Sequence, residues 1–376
     1  MPRIAILLPL SGPSAKVGRD LLNAAQLALF HFADQRFELL PRDTRGTPEG
    51  AADAAARAIG DGASLILGPL LSGSVEAAAP AARAAGINVI AFTTDRTVAG
   101  GGVFTMGFLP GQEVARIVAF ARQRGVRRLA VLAPDSTYGL RVVEQVRQSA
   151  EAPGLFLTDI AYYDPLATDF APVVRSLADY DARRRNLLDQ VEALRARDDE
   201  VAAAALKRLE NLQTLGDVPF DALLIAEGGK RLQAIAALLP YYDLDPKKVR
   251  MLGTGQWDTP GLGAEPALVG GWFAAPSPAA RADFVEQYRA AYGAPPHRLA
   301  TLAYDATALA AVLAREDGGF QPEKITAAQG FAGRDGIFRF LPTGIAERGL
   351  SVLQVRERGT AVIADAPSNF SAPPVR

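Results

Sequence analysis

The chain has 376 residues, with 40 Lys and Arg against 41 Asp and Glu, so its formal net charge is −1. Such a balance gives no general attraction for nucleic-acid phosphates or an anionic membrane, and we expect no nucleic-acid partner. The absence of cysteine excludes disulfides, thiolate metal sites and cysteine nucleophiles. The sequence has no apolar run of about 18 residues that would predict a membrane span.

Size and composition indicate an ordered protein with two lobes. Hydrophobic residues make up 49% of the chain and charged residues 22%, which is enough apolar surface to bury large cores. The chain is also longer than about 250–300 residues, the size at which a single core stops growing. We therefore expect two folded lobes.

In the first third of the chain, short apolar runs alternate with helical patterns. The runs predict strands at Ile4–Leu8, Phe37–Leu40, Leu65–Leu67 and Val89–Phe92. The intervening patterns predict helices at Gly18–Ala33, Glu49–Gly60, Val75–Ala85 and Gly111–Arg124. Strands that alternate with helices of this length are typical of a parallel, doubly wound α/β sheet.

A second series of strands predicts a second lobe of the same architecture. Its strands are expected at Leu129–Leu132, Leu155–Tyr162, Ala222–Ile225 and Val249–Leu252. The chain then continues through helices at Ala280–Tyr292 and Leu299–Arg315 and strands at Gly336–Phe340, Leu350–Val355 and Ala361–Ile363. If the last helices return to lobe one and the last strands to lobe two, the chain crosses between lobes three times.

The predicted fold is thus α/β, with two doubly wound parallel-sheet lobes joined by a multi-strand hinge. Lobe one is expected to comprise residues 1–121 and 277–331, and lobe two residues 122–276 and 332–376. A hinge of several strands limits motion to the opening and closing of a cleft. This organisation favours a ligand-binding protein.

A long charged helical insertion is expected at about residues 173–215. The stretch between Pro172 and Gly216 contains neither Gly nor Pro and is rich in Ala, Leu, Arg, Glu and Asp, a composition that favours helix. Apolar residues recur at three- and four-residue steps. The segment is either a helical hairpin packed on its own lobe or a docking surface for another protein, and the pattern does not decide between them.

The sequence offers few residues for catalysis or cofactor binding. Gly12 and Gly18 are five residues apart and fit neither the dinucleotide fingerprint nor the P-loop. The two histidines, His31 and His297, are expected on a helix face and in a loop, and no nucleophile elbow or paired-histidine metal motif occurs. We predict no enzyme, no catalytic residues, no metal and no cofactor.

Polar residues follow several predicted strands, at the edge where an open α/β sheet binds small ligands. Hydroxyls and helix-terminal amides there can hold a carboxylate, while aromatic rings cover apolar parts of a ligand. Helix capping is the alternative role for the Ser, Thr and Asp residues among them. The candidate ligand-binding residues are Ser72, Thr93, Thr94, Asp95, Tyr138, Glu227, Gln256 and Trp257.

The order of these segments resembles the type I periplasmic solute-binding proteins, specifically their branched-chain amino-acid (leucine/isoleucine/valine) branch. The resemblance covers nearly the whole chain. It rests on Leu8-Pro9-Leu10-Ser11-Gly12-Pro13, Gly18, Asn23-Ala24-Ala25-Gln26-Leu27-Ala28, Asp43, Gly68-Pro69 and Tyr138-Gly139.

The resemblance implies a small-molecule receptor that delivers an amino acid or related zwitterion to an ABC permease. In that family, the positions of Ser72, Thr93 and Asp95 bind the ligand carboxylate, and that of Tyr138 contributes from lobe two. The acidic residue expected to pair with the ammonium is replaced in Gly253-Thr254-Gly255-Gln256. Glu227 is the neighbouring residue that we expect to supply this charge.

The helical insertion and the segment Gly253–Asp258 also resemble a lipoprotein branch related to the penicillin-binding-protein activators. That likeness implies an alternative, an envelope protein that regulates peptidoglycan synthases by protein-protein contact. Either resemblance implies a periplasmic location, and the second adds a lipid anchor on a preceding N-terminal segment. Solute capture is the leading expectation.

Overall fold

The computed structural model describes residues 2–32, 37–151, 153–197 and 199–370. Ala33, the expected end of the first helix, and the expected lobe boundaries at residues 1 and 376 lie outside this range. The strands are β1 Arg3–Leu8, β2 Glu38–Asp43, β3 Ala63–Leu67, β4 Asn88–Ala91, β5 Val103–Thr105, β6 Arg128–Pro134, β7 Phe156–Tyr163, β8 Ala222–Ile225, β9 Arg250–Gly253, β10 Trp272–Ala275, β11 Phe331–Gly333, β12 Gly336–Phe340, β13 Ala346–Arg348, β14 Ser351–Val355 and β15 Thr360–Ala364.

The helices connect these strands in the alternating order expected of an α/β chain. They are α1 Ala15–Phe32, α2 Pro48–Gly60, α3 Ser72–Ala84, α4 Pro110–Gln123, α5 Thr137–Ala150, α6 Ala171–Leu177, α7 Tyr180–Arg195, α8 Glu200–Leu209, α9 Gly229–Tyr241, α10 Pro278–Tyr292, α11 Ala300–Leu313 and α12 Pro322–Ile325. No helix within the described residues is long and apolar enough to cross a membrane.

The chain divides into two compact units. Among the described residues, the first unit comprises 2–109, 276–350 and 366–370, and the second comprises 110–275 and 351–365. The chain therefore passes from one unit to the other at four places, after Leu109, Ala275, Leu350 and Asp365.

These boundaries differ from the expected ones in three places, and the chain crosses four times rather than three. Residues 366–370 return to the first unit, although the expectation placed them in lobe two. Helix α4 belongs to the second unit rather than to lobe one, because it packs against α5 and β10. Strands β11 to β13 belong to the first unit rather than to lobe two. They form a separate antiparallel sheet, and Phe338 and Phe340 of β12 are buried in the core of the first unit.

The first unit is built on a parallel five-stranded sheet of order β2-β1-β3-β4-β5. Ile4 to Leu8 of β1 are fully buried, as expected for a central strand covered on both faces. Strand β2 lies on one side of β1, and β3 to β5 lie on the other side. The strand order therefore reverses between β1 and β3. In such sheets, ligands bind outside the carboxyl ends of the strands at this reversal.

The second unit is built on a seven-stranded sheet of order β15-β14-β10-β9-β8-β6-β7. Strands β6 to β10 pair in parallel, and β14 and β15 continue the sheet in antiparallel pairing. Here the strand order reverses between β6 and β8. The carboxyl ends of these two strands are therefore the expected ligand-binding edge.

Two glycines of the family pattern have a packing role. A Cβ on Gly18 of α1 would lie 2.0 Å from the Pro9 carbonyl oxygen, and a Cβ on Gly139 of α5 would lie 1.9 Å from that of Pro134. Both helices thus lie directly against the chain leaving the preceding strand. Each unit thus has a glycine near the start of the helix that follows its first strand.

Gly139→Ala is expected to lower the free energy of unfolding by about 1–3 kcal/mol, because the added methyl forces the helix away from the strand end. Urea unfolding would measure the change. Gly60→Ala is the matched control, since a Cβ at this helical position meets no atom within 4 Å and should be neutral or stabilising. Equal loss in both variants would contradict the packing argument.

The predicted helical insertion comprises the end of α6, then α7 and α8. It is packed on its own unit: Leu187 and Leu194 are buried, and the buried Arg183 donates to the carbonyl oxygens of Ala178 and Gly216 and pairs with Asp243 at 3.1 Å. These contacts agree with the interpretation as a packed hairpin.

Candidate functional site

In the first unit, the start of α3 follows the carboxyl end of β3. The helix begins at Ser72, and its N-cap, Leu71, makes no side-chain hydrogen bond to the first amides. Ser72 is half-buried. It is not the N-cap residue, so the alternative capping role does not apply to it. A helix start whose amides are not bonded by a capping side chain, with a hydroxyl in its first turn, suits an anionic group.

Thr93, Thr94 and Asp95 follow β4, the neighbour of β3 in the sheet. Thr93 is buried, and its Oγ1 accepts a hydrogen bond from the Asp95 amide at 3.1 Å. Asp95 caps the next turn by accepting from the amide and hydroxyl of Thr97 at 3.0 and 2.8 Å. Thr94 is exposed. The Asp95 carboxylate therefore organises the loop, and an anionic ligand group would be repelled by it.

Asp43, at the end of β2, organises the turn after β1. Its Oδ1 accepts from the backbone amides of Leu10 and Arg45 at 2.9 and 2.8 Å. Burial pushes the pKa of Asp43 upward, but the hydrogen bonds from Ser11 and these amides outweigh it and the pKa is lowered. The carboxylate stays ionised and fixes the Ser11–Gly12 turn.

In the second unit, a side-chain hydrogen bond between Tyr138 and Thr254 links the segments that follow two strands. Tyr138 follows β6, Thr254 follows β9, and their side-chain oxygens are 2.7 Å apart. Burial raises the pKa of the Tyr138 hydroxyl, and the negative charges of Glu113 and Glu227 add to the shift. The phenol therefore remains protonated and serves as a neutral hydrogen-bonding group.

Glu227 follows β8 and is held by its own unit. Its Oε2 accepts from the Tyr163 hydroxyl at 2.6 Å and from Arg231 Nε at 3.0 Å. Arg231 also lies over the Tyr163 and Phe170 rings, with its Cζ 5.6 and 5.1 Å from their centres. The charge of Glu227 is thus largely offset by Arg231, which weakens its predicted role as the sole partner of a ligand ammonium.

Glu113 was missed by the sequence analysis. This residue lies in the first turn of α4, and its Oε2 accepts from the Gly255 amide at 2.8 Å, directly after β9. A carboxylate is therefore present beside the Gly253–Gln256 turn, although that turn itself has no acidic residue. The sequence separation of 142 positions between donor and acceptor explains why no local motif revealed it.

Trp257 does not take the position expected of a ligand-binding residue, whereas the predicted role of Gln256 stays a proposal. Trp257 is fully buried and packs against Phe273, with ring centres 6.3 Å apart. The missing side chain of Gly253 makes room for its indole, which would lie 2.1 Å from a Cβ there. Trp257 is therefore a core residue, a correction to its predicted role, and Gln256 is exposed beside Gly228.

Taken together, the strand ends of each unit carry neutral hydrogen-bonding groups close to fixed charges. The first unit offers Ser72, Thr93 and the start of α3, and the second offers Tyr138 and Thr254 near Glu113 and Glu227. Within the described residues, no cluster of three or more His, Asp or Glu is arranged to hold a metal ion. Such groups suit the recognition of a small polar solute.

Comparison with known proteins extends over nearly the whole chain. Residues 2–360 match the family described as "Periplasmic binding protein". No curated protein sequence matches the chain significantly.

Solved structures with low sequence identity have the same fold. A putative branched-chain amino acid ABC transporter protein from Rhodospirillum rubrum is 21% identical, with 96% of this chain and 99% of that chain covered and a TM-score of 0.78. LivJ from Streptococcus pneumoniae, solved with isoleucine, is 18% identical, with coverage of 97% and 99% and a TM-score of 0.59. A solute-binding protein from R. palustris, solved with benzoate, is 17% identical, with coverage of 98% and 97% and a TM-score of 0.61.

Proposed function

The chain belongs to the periplasmic binding protein family, and from this premise we propose that it captures a small solute for an ABC transporter. The match from residue 2 to residue 360 carries the proposal, since it includes both units and all the strand ends described above. This family favours a receptor over an enzyme and over the alternative of a peptidoglycan-synthase regulator. It also supports an extracytoplasmic location, to which we add a lipid anchor as a proposal.

The ligand class we propose is an amino acid or a related zwitterion. Ser72, Thr93 and the start of α3 would hold a carboxylate. Tyr138 would donate or accept a hydrogen bond from the second unit, and the acidic groups near it disfavour a second anionic group on the ligand. LivJ was solved with isoleucine, whereas the R. palustris protein was solved with benzoate, so both an amino acid and an aromatic acid must be compared.

The proposal is tested by thermal unfolding of the purified protein with a panel of the twenty amino acids, benzoate, 4-hydroxybenzoate and cell-wall muropeptides. A solute that binds only the folded state, present at a hundredfold excess over its Kd, adds about 2.7 kcal/mol of stability. A shift confined to amino acids is the expected result. A shift with aromatic acids alone would replace the ligand class, and no shift at all would overturn solute capture.

Ser72→Ala is expected to weaken binding of the solute found in that panel by about 1–3 kcal/mol, because a hydroxyl partner of a carboxylate is lost. Isothermal titration would measure it. Ser64→Ala is the matched control, because Ser64 is an exposed residue of β3 and its replacement should leave the affinity unchanged. Unchanged affinity in Ser72→Ala would remove this hydroxyl from the site.

A further inference from the structure

Three ionisable groups that interact electrostatically with one another are buried in the first unit. Asp305 on α11 is 2% exposed, Asp335 between β11 and β12 is 0% exposed, and Arg348 at the end of β13 is 6% exposed. We call these three residues the aspartate cluster. Ionised groups are seldom buried to this degree without a specific reason.

The aspartate cluster contacts the chain just before it enters the second unit. Arg348 donates to the Met106 carbonyl oxygen at 2.7 Å, and its Cζ lies 4.6 Å from the centre of the Phe108 ring. Two crossings follow, after Leu109 and after Leu350. Residues 106–109 and 348–350, the connecting segments, are therefore tied to each other through one guanidinium.

One connecting segment also supports a proposed solute-binding residue. The Gly107 amide donates to the Thr93 carbonyl oxygen at 3.2 Å, and the Met106 amide donates to the Ala91 carbonyl oxygen at 2.8 Å. On the other connecting segment, the Gly349 amide donates to the Ile337 carbonyl oxygen at 2.9 Å. These bonded amides report on any loosening of the segments.

Charged and titratable groups from several neighbouring elements lie around Asp305 and its neighbours. Arg334, on the β11–β12 turn, donates its amide to Asp305 Oδ1 at 2.8 Å and its guanidinium to the Tyr304 hydroxyl at 2.6 Å. Arg298, which precedes α11, lies 3.1 Å from Asp335. His31 of α1 meets the Tyr304 hydroxyl at 2.9 Å. Within the described residues, Asp305 Oδ2 accepts no hydrogen bond.

We propose that the aspartate cluster is a proton-sensitive latch, which holds the connecting segments firmly while Asp305 carries a proton and loosens them when Asp305 ionises. An ionised Asp305 places a second negative charge beside Asp335, with one oxygen unbonded and no access to water. Opening of the segments hydrates that charge. The latch does not depend on which solute is bound, so it goes beyond the proposed function.

The direction of the pH effect follows from the environment of Asp305. Burial, and then the Asp335 carboxylate, raise the pKa of Asp305 from 3.8 to about 7. The closed state binds this proton more tightly than an opened state, so its stabilisation is complete in acid and is lost as the pH rises through 7. With these two pKa values, opening becomes about tenfold more favourable between pH 6 and pH 8.

Native-state hydrogen exchange of the full chain at pH 6 and pH 8 tests the latch. After correction for the intrinsic exchange rate, peptides that cover the connecting segments should lose about tenfold in protection at pH 8, while peptides from β6 should not. Equal changes in both regions, or none in the segments, would overturn the proposal. Hydrogen exchange is measured without solute, so its result tests the latch independently of the proposed solute capture.

Two variants separate the latch from general packing. Asp305→Asn should make protection of the connecting segments independent of pH, whereas the exposed control Asp53→Asn should keep the wild-type profile. If Asp305→Asn does not fold, Asp335→Asn provides the same test, because removal of the neighbouring negative charge should move the midpoint to lower pH. An unchanged midpoint in Asp335→Asn, or a wild-type profile in a folded Asp305→Asn, would contradict the assignment.

Discussion

Arg348→Met is expected to lower the free energy of unfolding by about 3–5 kcal/mol, because it removes one of the two guanidinium groups near the buried Asp335 and deletes a hydrogen bond to the Met106 carbonyl oxygen. Burial lowers the pKa of Arg348, and the two aspartates oppose that shift. Urea unfolding at pH 8 would measure the loss. The loss should shrink at pH 5, where Asp305 is protonated and the only carboxylate of the cluster that stays ionised, Asp335, is still paired with Arg298 at 3.1 Å.

The control for this prediction is Lys324→Met. Lys324 pairs with Glu316 at 3.0 Å, but their side chains are 44% and 45% exposed, so the change should stay within about 1 kcal/mol. A loss in Arg348→Met no larger than this would show that the buried guanidinium contributes little. An undiminished loss at pH 5 would assign its effect to packing over Phe108 rather than to charge.

The central strands were predictable because their side chains are buried on both faces. Continuous apolar runs predicted β1, β3 and β8 to within two residues, since a parallel strand between two helical layers has no polar face. Family membership and the solved relatives confirm the predicted α/β fold class. Helix α2 begins one residue before its predicted start at Glu49, and α3 begins at Ser72, three residues before its predicted start at Val75.

Short strands were missed because their burial depends on distant residues. Strand β5 has three residues after the glycines at 100–102, too few for a periodic pattern. Strands β11 and β13 are equally short and pair only with β12. The sheet that they form with β12 packs on the first unit through contacts such as that between Phe104 and Phe340, whose ring centres are 5.5 Å apart. Separations of more than 200 residues leave no local signal.

Within the candidate site, the hydroxyl positions were easier to predict than the charges. Ser72, Thr93 and Tyr138 lie two to five residues after the ends of β3, β4 and β6, so the strand pattern located them, although their binding roles remain proposals. The charge of Glu227 depends on Arg231 and Tyr163, and the carboxylate of Glu113 is supplied by a helix 142 residues away. Charge compensation is a tertiary property that spacing does not report.

Trp257 shows how two glycines can turn a predicted ligand contact into a core contact. An aromatic residue after a strand favours a ligand-facing interpretation, but Gly253 and Gly271 leave room for the indole on the protein side. Trp257→Ala is therefore expected to lower the free energy of unfolding by about 3–5 kcal/mol, the usual cost of removing a large buried aromatic side chain. Urea unfolding would measure it, because the lost packing acts on the folded state.

Binding should respond differently from stability in this variant. Within the described residues, the Trp257 Nε1 has no hydrogen-bond partner, so its removal leaves no polar group unsatisfied. At a temperature where Trp257→Ala remains folded, its affinity for a solute found with the wild-type protein should stay within about twofold, equivalent to about 0.4 kcal/mol. The exposed Gln256→Ala is the neighbouring control for stability, and its unfolding free energy should change by less than about 0.5 kcal/mol. A large loss of affinity with little loss of stability in Trp257→Ala would contradict the core role of the indole. It would support the prediction that Trp257 contacts the ligand.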